Sequence, residues 1–447
     1  MRTLLLGLDG ADSRLFPQLV ESIPLPCFQS FFREGTWGTL LSTLPPSSPP
    51  AWTSILTGVD PGRHGVFHFR GPLDERGNRP LLRTSHIQAD RLWHLANRMG
   101  WKTGVINVPV VYPSEPLVGF MVSGMLTPEG AKDWIYPRDW GQDLERQTGP
   151  LPFHASQEDP ISHVRCLADA CQRWTEATLW LYSRCPVDLL MLVFVLLDRL
   201  QHRFFSRIAR LCAEGKPRDP LDQEIVKALL RLDECAERLR DTLKPSEIWM
   251  VSDHGFGPVE GVIALNRLMT EIELASFHPT ERALPGVLLG GIEDRVDWDK
   301  TRAYLSSPLE SGILINTALG RAKVPEGSRL YKEIQTSLTS ILQGLKHPDQ
   351  GTRLFETVVS REALYSGPHV RRGPHLFLVP MSQRFHLSID PEEPALVRFP
   401  REDEEGMHRR EGLWLTLKEK GPLLPRGRRL SCEQIPRAVL ALESLVF

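Results

Sequence analysis

The alternation of short apolar segments with amphipathic ones most constrains how this 447-residue chain can fold. The predicted strands cover residues 3–8, 102–105, 189–195 and 247–251. The predicted helices, where apolar residues recur at three- and four-residue intervals, cover residues 51–56, 90–99, 161–183 and 222–243. This alternation is typical of a mostly parallel sheet with helices on both faces. We therefore expect an α/β fold of three layers.

Each of the four predicted strands delivers a polar residue at or just beyond its carboxyl end. These residues are Asp9, Asn107, Asp198 and Asp253. In an open α/β sheet the ligand crevice lies outside the carboxyl ends of the strands. The pattern therefore predicts that these side chains share one edge of the sheet.

Between the fourth predicted strand and a final predicted strand at 413–417, the sequence pattern loosens. Pro and Gly interrupt the chain from about residue 259 to 405, and strands are recognisable there only at 312–315 and 375–379. A chain of this length exceeds the usual size of a single core. We expect one catalytic domain over residues 1–447, with an inserted cap or substrate lobe at 265–400.

Charge and composition exclude several classes of partner. The formal net charge is −2, which gives no basic surface for a nucleic-acid polymer. The longest strongly apolar run, residues 189–197, is far shorter than the roughly 20 residues that span a bilayer. The N-terminal apolar run ends at Asp9, too short for a signal peptide. We expect no membrane partner.

The number and spacing of the cysteines indicate the cellular compartment. The seven cysteines are odd in number, scattered, and never spaced as Cys-x-x-Cys. This usage is typical of reduced, mostly buried thiols. The sequence therefore favours a cytoplasmic protein.

Residues 44–58 place serines at the start of a predicted helix. A serine hydroxyl is protonated at neutral pH, so attack on phosphorus needs a base or a metal ion. No Gly-x-Ser-x-Gly motif surrounds Ser48 or its neighbour Ser47. A helix N-terminus is also a ready anion site, so we expect its N–H groups to bind phosphoryl oxygens.

Acidic and imidazole residues elsewhere supply a ligand set. Asp198 and His202 are four residues apart and share a helical face, and Asp253 directly precedes His254. Asp9 and His408 complete three aspartates and three histidines. Carboxylate and imidazole without cysteine suit Zn²⁺ or Mn²⁺, and six ligands are enough for two ions. Two ions can hold the attacking and leaving oxygens of a displacement at phosphorus.

Each of these residues also has a purely structural interpretation. Asp9 can cap a turn, and Ser48 can be an N-cap without being a nucleophile. Asp198 and His202 can form an ordinary pair on a helix surface, and His254 can be a core histidine. The ordered set, rather than any single residue, favours the site.

The ordered motifs resemble the alkaline phosphatase superfamily. They are Gly-Leu-Asp-Gly around Asp9, Ser-Ser-Pro-Pro-Ala-Trp-Thr-Ser-Ile-Leu-Thr-Gly around Ser48, Pro-Gly-Arg-His-Gly at 61–65, and Ser-Asp-His-Gly around Asp253. Within it, the chain is most similar to the type I phosphodiesterase and nucleotide pyrophosphatase branch. The resemblance runs from Asp9 to His408 and implies an alkaline phosphatase-like domain.

The resemblance implies a role for each residue of the set. Asp198, His202 and His408 would hold one ion, and Asp9, Asp253, His254 and the Ser48 oxygen the other. It implies a two-step hydrolysis of a phosphoester through a phosphoseryl intermediate on Ser48. The branch usually has a phosphoryl-binding asparagine where this chain has Phe69, so Asn107, Arg70 or His68 is expected to bind substrate instead.

Other activities remain open at this stage. Similar aspartate and histidine ligands occur in metal-dependent phosphoglycerate mutases, which predicts phosphoryl transfer between hydroxyls. A sulfatase is disfavoured because residues 47–51 lack the arginine of its Cys/Ser-x-Pro-x-Arg motif. A catalytically silent binding protein would keep the fold alone. The expected partner is a small phosphorylated substrate, with nucleotides among the candidates. The sequence does not indicate an oligomeric state.

Overall fold

The computed structural model describes residues 1–279, 291–401, 404–419 and 424–441. Within them the strands, in chain order, are β1 (Thr3–Leu8), β2 (Thr36–Leu41), β3 (Thr103–Val108), β4 (Gly119–Ser123), β5 (Ile135–Tyr136), β6 (Leu189–Phe194), β7 (Glu247–Val251), β8 (Gly255–Pro258), β9 (Gly261–Ala264), β10 (Ala303–Leu305), β11 (Gly312–Ile315), β12 (Phe355–Ser360), β13 (Leu376–Pro380), β14 (Phe385–Ser388), β15 (Val397–Arg398), β16 (Gly406–Arg409), β17 (Glu411–Lys418) and β18 (Leu430–Ser431).

The α-helices of the described residues follow the same order. They are α1 (Leu15–Ser22), α2 (Pro26–Glu34), α3 (Ser48–Thr57), α4 (Pro61–His64), α5 (Leu92–Arg98), α6 (Gly141–Thr148), α7 (Pro160–Arg184), α8 (Leu196–Glu214), α9 (Pro220–Leu243), α10 (Leu265–Glu271), α11 (Arg329–Gly344), α12 (Arg361–Leu364) and α13 (Ile435–Val439). No described helix has both the length and the apolar character needed to cross a bilayer.

The chain forms two units, one made of residues 1–59, 83–256 and 408–447 and the other of residues 60–82 and 257–407. The predicted lobe at 265–400 falls within the second unit. That unit also takes in residues 60–82, which no sequence signal grouped with it. The single catalytic domain over residues 1–447 stays a prediction.

The first unit contains a nine-stranded sheet in the order β18-β2-β17-β7-β1-β6-β3-β4-β5. Its central strands β7, β1, β6, β3 and β4 are parallel to their neighbours in this run. Strand β17 is antiparallel to both β2 and β7. The sheet is therefore mostly parallel, and the predicted α/β class is confirmed.

Alternate residues of the buried strands belong to two separate cores. In β1, Leu4 and Leu6 join one apolar cluster and Leu5 joins the other. The first cluster includes side chains of α1, α2, α7, α8 and α9, and the second includes side chains of α3, α5 and α13. Since successive side chains of a strand point to opposite faces, helices cover both faces of the sheet.

The two longest helices begin with the same sequence signal. Asp159 and Asp219 are the N-caps of α7 and α9, and each carboxylate accepts a hydrogen bond from a backbone N–H of the first turn. A proline follows each aspartate, at a position where its missing N–H costs no helical hydrogen bond. These boundaries explain why periodicity located both helices within two residues.

The second unit contains two smaller sheets. One has four strands in the order β10-β11-β13-β12, and the other has three in the order β14-β9-β15. The strand predicted at 312–315 matches β11, and the one predicted at 375–379 is found at Leu376–Pro380. The remaining strands of these two sheets have two to six residues, which explains why the sequence pattern loosens here.

Candidate active site

Three predicted ligand positions lie at the ends of adjacent strands. Strand β1 pairs with β6 on one side and β7 on the other, with Thr3 level with both Leu189 and Glu247. The strands therefore end together. Asp9 follows β1, Asp198 follows β6 in the first turn of α8, and Asp253 follows β7. The predicted meeting of these carboxylates is thus a consequence of parallel register.

The backbone near Asp9 holds the carboxylates in place. Gly10 has φ of +78°, a conformation that favours glycine, and its N–H lies 3.3 Å from Asp253 Oδ1. The Asp198 N–H donates to the Asp9 carbonyl at 3.1 Å. The side chain of Gln201 adds a hydrogen bond to the Gly10 carbonyl. The turn after β1 therefore positions three of the acidic residues.

Ser48 is the first residue of α3, and the residue before it, Ser47, is the N-cap. The helix begins three residues earlier than predicted. Ser48 Oγ is buried and lies 3.3 Å from both Asp9 Oδ1 and His254 Nε2. The hydroxyl is thus adjacent to a carboxylate and to an imidazole, as a nucleophile requires.

The prediction that several N–H groups of α3 bind an anion is wrong for the first turn. Pro49 and Pro50 follow Ser48 and carry no N–H. The Ala51 N–H donates to the Ser47 carbonyl at 3.1 Å. Only the Ser48 N–H remains for an anion in this turn, so donors for phosphoryl oxygens have to come from other groups.

A second group forms around Asp198, His202 and His408. His202 lies one turn after Asp198 on α8, and its Nε2 is 3.4 Å from Asp198 Oδ1. His408 Nε2 is 3.2 Å from the same oxygen and 3.0 Å from His202 Nε2. His408 Nδ1 contacts the Pro46 carbonyl at 2.8 Å, which fixes the ring. Two imidazole nitrogens and a carboxylate oxygen thus converge.

His254 faces the other carboxylates. Its Nε2 lies 3.3 Å from Asp253 Oδ2, 3.5 Å from Asp9 Oδ1 and 4.0 Å from Asp198 Oδ1. Its Nδ1 is 3.1 Å from the Gly255 carbonyl. With the proton placed on Nδ1 to donate that bond, Nε2 presents its lone pair to the carboxylates, as a metal-ligating histidine does.

Two geometrically suitable ion groups emerge among the described residues: Asp198 with His202 and His408, and Asp9 with Asp198 and His254. In each, the ligand atoms lie within 4.8 Å of one another. Asp198 belongs to both groups, whereas the sequence assigned it to one. The predicted ligand roles of Asp253 and Ser48 stay predictions, although both side chains lie beside the second group.

The electrostatics of this cluster are those of a cation site. Burial, and then the charge of Asp198, raises the pKa of Asp9 to about 7. Burial and the charge of Asp9 raise the pKa of Asp253 well above its ordinary value. Burial opposes ionisation of Asp198 too, but His202 and His408 outweigh it and lower its pKa. Burial and His408 lower the pKa of His254.

Two buried carboxylate oxygens indicate whether the site can accommodate divalent cations. Asp253 Oδ2 and Asp198 Oδ1 have no hydrogen-bond partner among the described residues, although imidazole nitrogens lie within 4.0 Å of each. An unpaired buried carboxylate oxygen is costly, and a divalent cation would satisfy it. The donor set, oxygen and nitrogen without sulfur, suits Zn²⁺ or Mn²⁺. The residues therefore fit the implied ions.

The family model for type I phosphodiesterase/nucleotide pyrophosphatase matches residues 3–408. The chain belongs to this family. It is accordingly a phosphoric ester hydrolase. No curated protein matches the chain.

Solved structures similar to this phosphodiesterase-family protein share its fold at low sequence identity. Phosphonoacetate hydrolase from Sinorhizobium meliloti 1021, in complex with phosphonoacetate, has a TM-score of 0.62 at 14% identity, over 99% of this chain and 95% of the other. An inactive threonine-to-alanine variant of murine ectonucleotide pyrophosphatase/phosphodiesterase 5, in complex with AMP, has a TM-score of 0.55 at 14% identity, over 100% and 96%. Both likenesses concern the alkaline phosphatase-like fold.

The residues predicted to replace the family's asparagine have different surroundings. Asn107 has φ of +55°, and its side-chain N–H donates to the Val193 carbonyl at 2.8 Å. His68 and Arg70 belong to the second unit, where the Arg70 N–H donates to His68 Nδ1 and the Arg70 guanidinium lies 3.4 Å from Glu293. Substrate binding by these three residues stays a prediction for this phosphodiesterase-family chain.

Trp52 is the main site residue that the sequence analysis did not identify. Its ring is buried, and its indole N–H donates to Asp9 Oδ2 at 2.9 Å. The space is provided by Gly7, where a methyl group would lie 2.5 Å from the Trp52 ring. The available signal was its place one turn after Ser48, on the same helical face.

Phe256 is a second site residue that the sequence analysis did not identify, and no local sequence feature indicates it. Its ring lies edge-on to His202 and His408, with centroids 4.8 and 5.1 Å apart. It therefore restricts both imidazoles from one side. Only the folded arrangement brings these rings together.

Proposed function

We propose that this protein is a two-metal phosphoester hydrolase that acts through a phosphoseryl intermediate on Ser48. The observation that carries the proposal is the position of Ser48 Oγ, 3.3 Å from both Asp9 Oδ1 and His254 Nε2. These two side chains belong to a buried group suited to a cation. The hydroxyl is thus next to the place where positive charge would favour its ionised form.

The residues that would hold the two ions follow from the geometry and the family resemblance. Asp198, His202 and His408 would hold one, and Asp9, Asp253 and His254 the other, with Asp198 between them. Bound Zn²⁺ or Mn²⁺ supplies positive charge that favours an ionised hydroxyl and stabilises charge on the oxygens of phosphorus.

The chain's own groups account for a two-step reaction. Ser48 Oγ forms a bond to phosphorus as the bond to the leaving group breaks, and the leaving group takes up the proton that the hydroxyl loses. The leaving atom is oxygen in a phosphoester and carbon in a phosphonate. A water oxygen then attacks phosphorus, the bond to Ser48 breaks, and the serine regains a proton. Two in-line displacements give overall retention at phosphorus.

The indole of Trp52 and the ring of Phe256 would serve as positioning groups. Trp52 fixes one oxygen of Asp9 so that the other faces Ser48. Phe256 limits rotation of His202 and His408. Preorganised ligands reduce the cost of binding ions and substrate.

The substrate is proposed to be a small phosphorylated compound, either a phosphoester or a phosphonate, and nucleotides are included. Support comes from the family and from the ligands of its structural neighbours, phosphonoacetate and AMP. A cytoplasmic location is likewise proposed, since all seven cysteines are free. Cell fractionation tests the location.

The decisive experiment compares the wild type with Ser48→Ala and the matched control Ser47→Ala. Each protein is depleted of metal, resupplied with Zn²⁺ or Mn²⁺, and assayed on p-nitrophenyl phosphate, its bis ester and a nucleoside ester. Wild type and Ser47→Ala should turn over, and Ser48→Ala should not while melting at the same temperature. Mass spectrometry of acid-quenched wild type should find a phosphoryl group on Ser48. Full activity of Ser48→Ala would remove this residue from the mechanism.

A further inference from the structure

Arg199 lies beside the metal-ligand residues with most of its hydrogen-bonding capacity unused. It follows Asp198 in α8, and its Nε is 3.9 Å from Asp198 Oδ2, too far for a hydrogen bond. Its Nη2 lies 3.1 Å from Met125 Sδ, the one hydrogen bond its guanidinium makes among the described residues. Sulfur is a weak acceptor, so the five donors of this guanidinium lack strong partners.

Two other arginines of α8, Arg203 and Arg210, are better paired than Arg199. Arg210 donates to both carboxylate oxygens of the buried Asp222, at 2.9 and 2.8 Å. Arg203, one turn after Arg199, donates to the carbonyls of Gln157 and Glu158. Arg199 is also largely shielded, with 22% of its side chain exposed, so water reaches only part of it. Its guanidinium is thus partly shielded and free of strong acceptors among the described residues.

The positive charge of Arg199 lies beside carboxylates that are proposed to bind cations, and this placement requires an explanation. Arg199 opposes the binding of divalent cations by the neighbouring carboxylates, because like charges repel at short range in a shielded site. An anion bound between the Arg199 guanidinium and the carboxylate cluster would attract both the guanidinium and the cations, and so would offset this repulsion. The first turn of α3 offers a single free N–H, since Pro49 and Pro50 have none, so an anionic substrate needs donors from elsewhere.

We propose that Arg199 binds a second anionic group of the substrate, a phosphoryl or a carboxylate group close to the phosphorus that is attacked. The inference rests on the proposed function and narrows its substrate class to compounds with two neighbouring anionic groups, such as nucleoside polyphosphates or phosphonocarboxylates. The planar guanidinium suits either group, because each accepts two parallel hydrogen bonds.

The test uses metal-loaded wild type, Arg199→Gln, Arg199→Lys and the control Arg203→Gln. The p-nitrophenyl ester of thymidine 5′-monophosphate carries one anionic group, ATP adds phosphoryl groups, and phosphonoacetate adds a carboxylate. Arg199→Gln should lower kcat/KM about ten- to a hundredfold for ATP or phosphonoacetate, and less than about threefold for the nitrophenyl ester. Arg199→Lys should fall between, since it keeps the charge without the paired donors. Arg203→Gln should behave as wild type.

The two substrate arms distinguish the sources of the second group. A loss confined to ATP assigns a phosphoryl group, and a loss confined to phosphonoacetate assigns a carboxylate. An equal loss on all three substrates would overturn the proposal, because it would mean that Arg199 acts only by orienting Asp198. Equal melting temperatures of the variants show that folding is intact.

A binding measurement separates this inference from the proposed function. Inorganic pyrophosphate is titrated calorimetrically into metal-free and metal-loaded protein, each in the Ser48→Ala background, so that turnover contributes no heat. Arg199→Gln should weaken binding about tenfold or more relative to wild type and Arg203→Gln. Equal binding by wild type and Arg199→Gln would overturn the role of Arg199. If no substrate is hydrolysed but this difference persists, the proposed function fails and the anion site stands.

Discussion

Two buried charged clusters, one in each unit, handle their carboxylates in opposite ways. In the second unit, Arg79 donates to both oxygens of Glu310 at 2.8 Å, to Ser306 Oγ at 2.6 Å and to the Gly71 carbonyl at 2.8 Å. Burial alone would raise the pKa of Glu310, but Arg79 outweighs it and lowers the pKa. This cluster contains its own cation.

The clustered carboxylates of the first unit have no arginine hydrogen-bonded to them in this way among the described residues. Asp9 and Asp253 both have raised pKa values, and Asp253 Oδ2 has no hydrogen-bond partner within the described ranges. A buried carboxylate is stable when a cation or hydrogen bonds compensate it. The comparison teaches that a paired buried cluster is structural, whereas one with unpaired carboxylates is built to receive positive charge from outside.

The largest expected effect tests the shared ligand. Asp198→Asn removes a charge that belongs to both ion groups, so turnover should fall about a thousandfold or more, as expected for several kcal/mol of lost charge stabilisation. Elemental analysis should find fewer ions than in wild type. Asp233→Asn, another buried carboxylate of this unit that accepts backbone hydrogen bonds, is the control and should retain activity. Equal metal content in wild type and Asp198→Asn would contradict the shared role.

The second prediction breaks the paired cluster. Arg79→Met leaves Glu310 buried without its cation and should lower the free energy of unfolding by about 3–5 kcal/mol, measured by urea denaturation. This loss in the free energy of unfolding should be smaller at acidic pH. Glu310 has a lowered pKa, so the stability it contributes is present above its ordinary pKa and is lost as it becomes protonated. The exposed Arg76→Met is the control, and an equally large effect there would refute the interpretation.

The third prediction concerns the carboxylate cluster of the first unit, where a substitution should raise the free energy of unfolding instead of lowering it. Asp253→Asn should stabilise the metal-free protein by about 1–3 kcal/mol at pH 8, because it removes a buried charge. The pKa of Asp253 is raised in the folded protein, so the carboxyl destabilises the fold at high pH. This penalty shrinks as pH falls through the folded pKa and is gone below the ordinary pKa of an unfolded aspartate. The gain should therefore shrink as pH falls. Thermal melts across pH measure it, and destabilisation at pH 8 would contradict the comparison.

The smallest effect concerns orientation. Trp52→Phe keeps the ring and removes the N–H that donates to Asp9 Oδ2, so metal affinity should fall about tenfold. Trp93→Phe is a matched control, because that indole also donates to a carboxylate, Glu115 Oε1 at 2.7 Å. Competition with a chelator reports the affinity. A loss shared by both variants would assign the effect to general stability.

Local and register effects explain what the sequence could predict. The ends of three parallel strands located Asp9, Asp198 and Asp253, and the four-residue spacing on a helix located His202. The fold class followed from periodicity, and the family from ordered motifs. These features depend on short stretches of chain or on rules that all parallel sheets obey.

Long-range pairing explains what was missed. Arg79 meets Glu310 across 231 residues, and no periodicity links the two positions. Residues 60–82 join the second unit although they precede most of the first. The first turn of α3 was predicted to bind anions from its position alone, without allowing for the two prolines that remove its donors.

Gly7 has a consequence beyond its own strand. A side chain there would collide with the Trp52 ring, so the absence of one methyl group sets how closely α3 approaches β1. An alanine at this site would push the helix outward and carry the serine hydroxyl away from its carboxylate neighbour. The position of the Ser48 hydroxyl thus depends on the missing side chain of a residue in a different element.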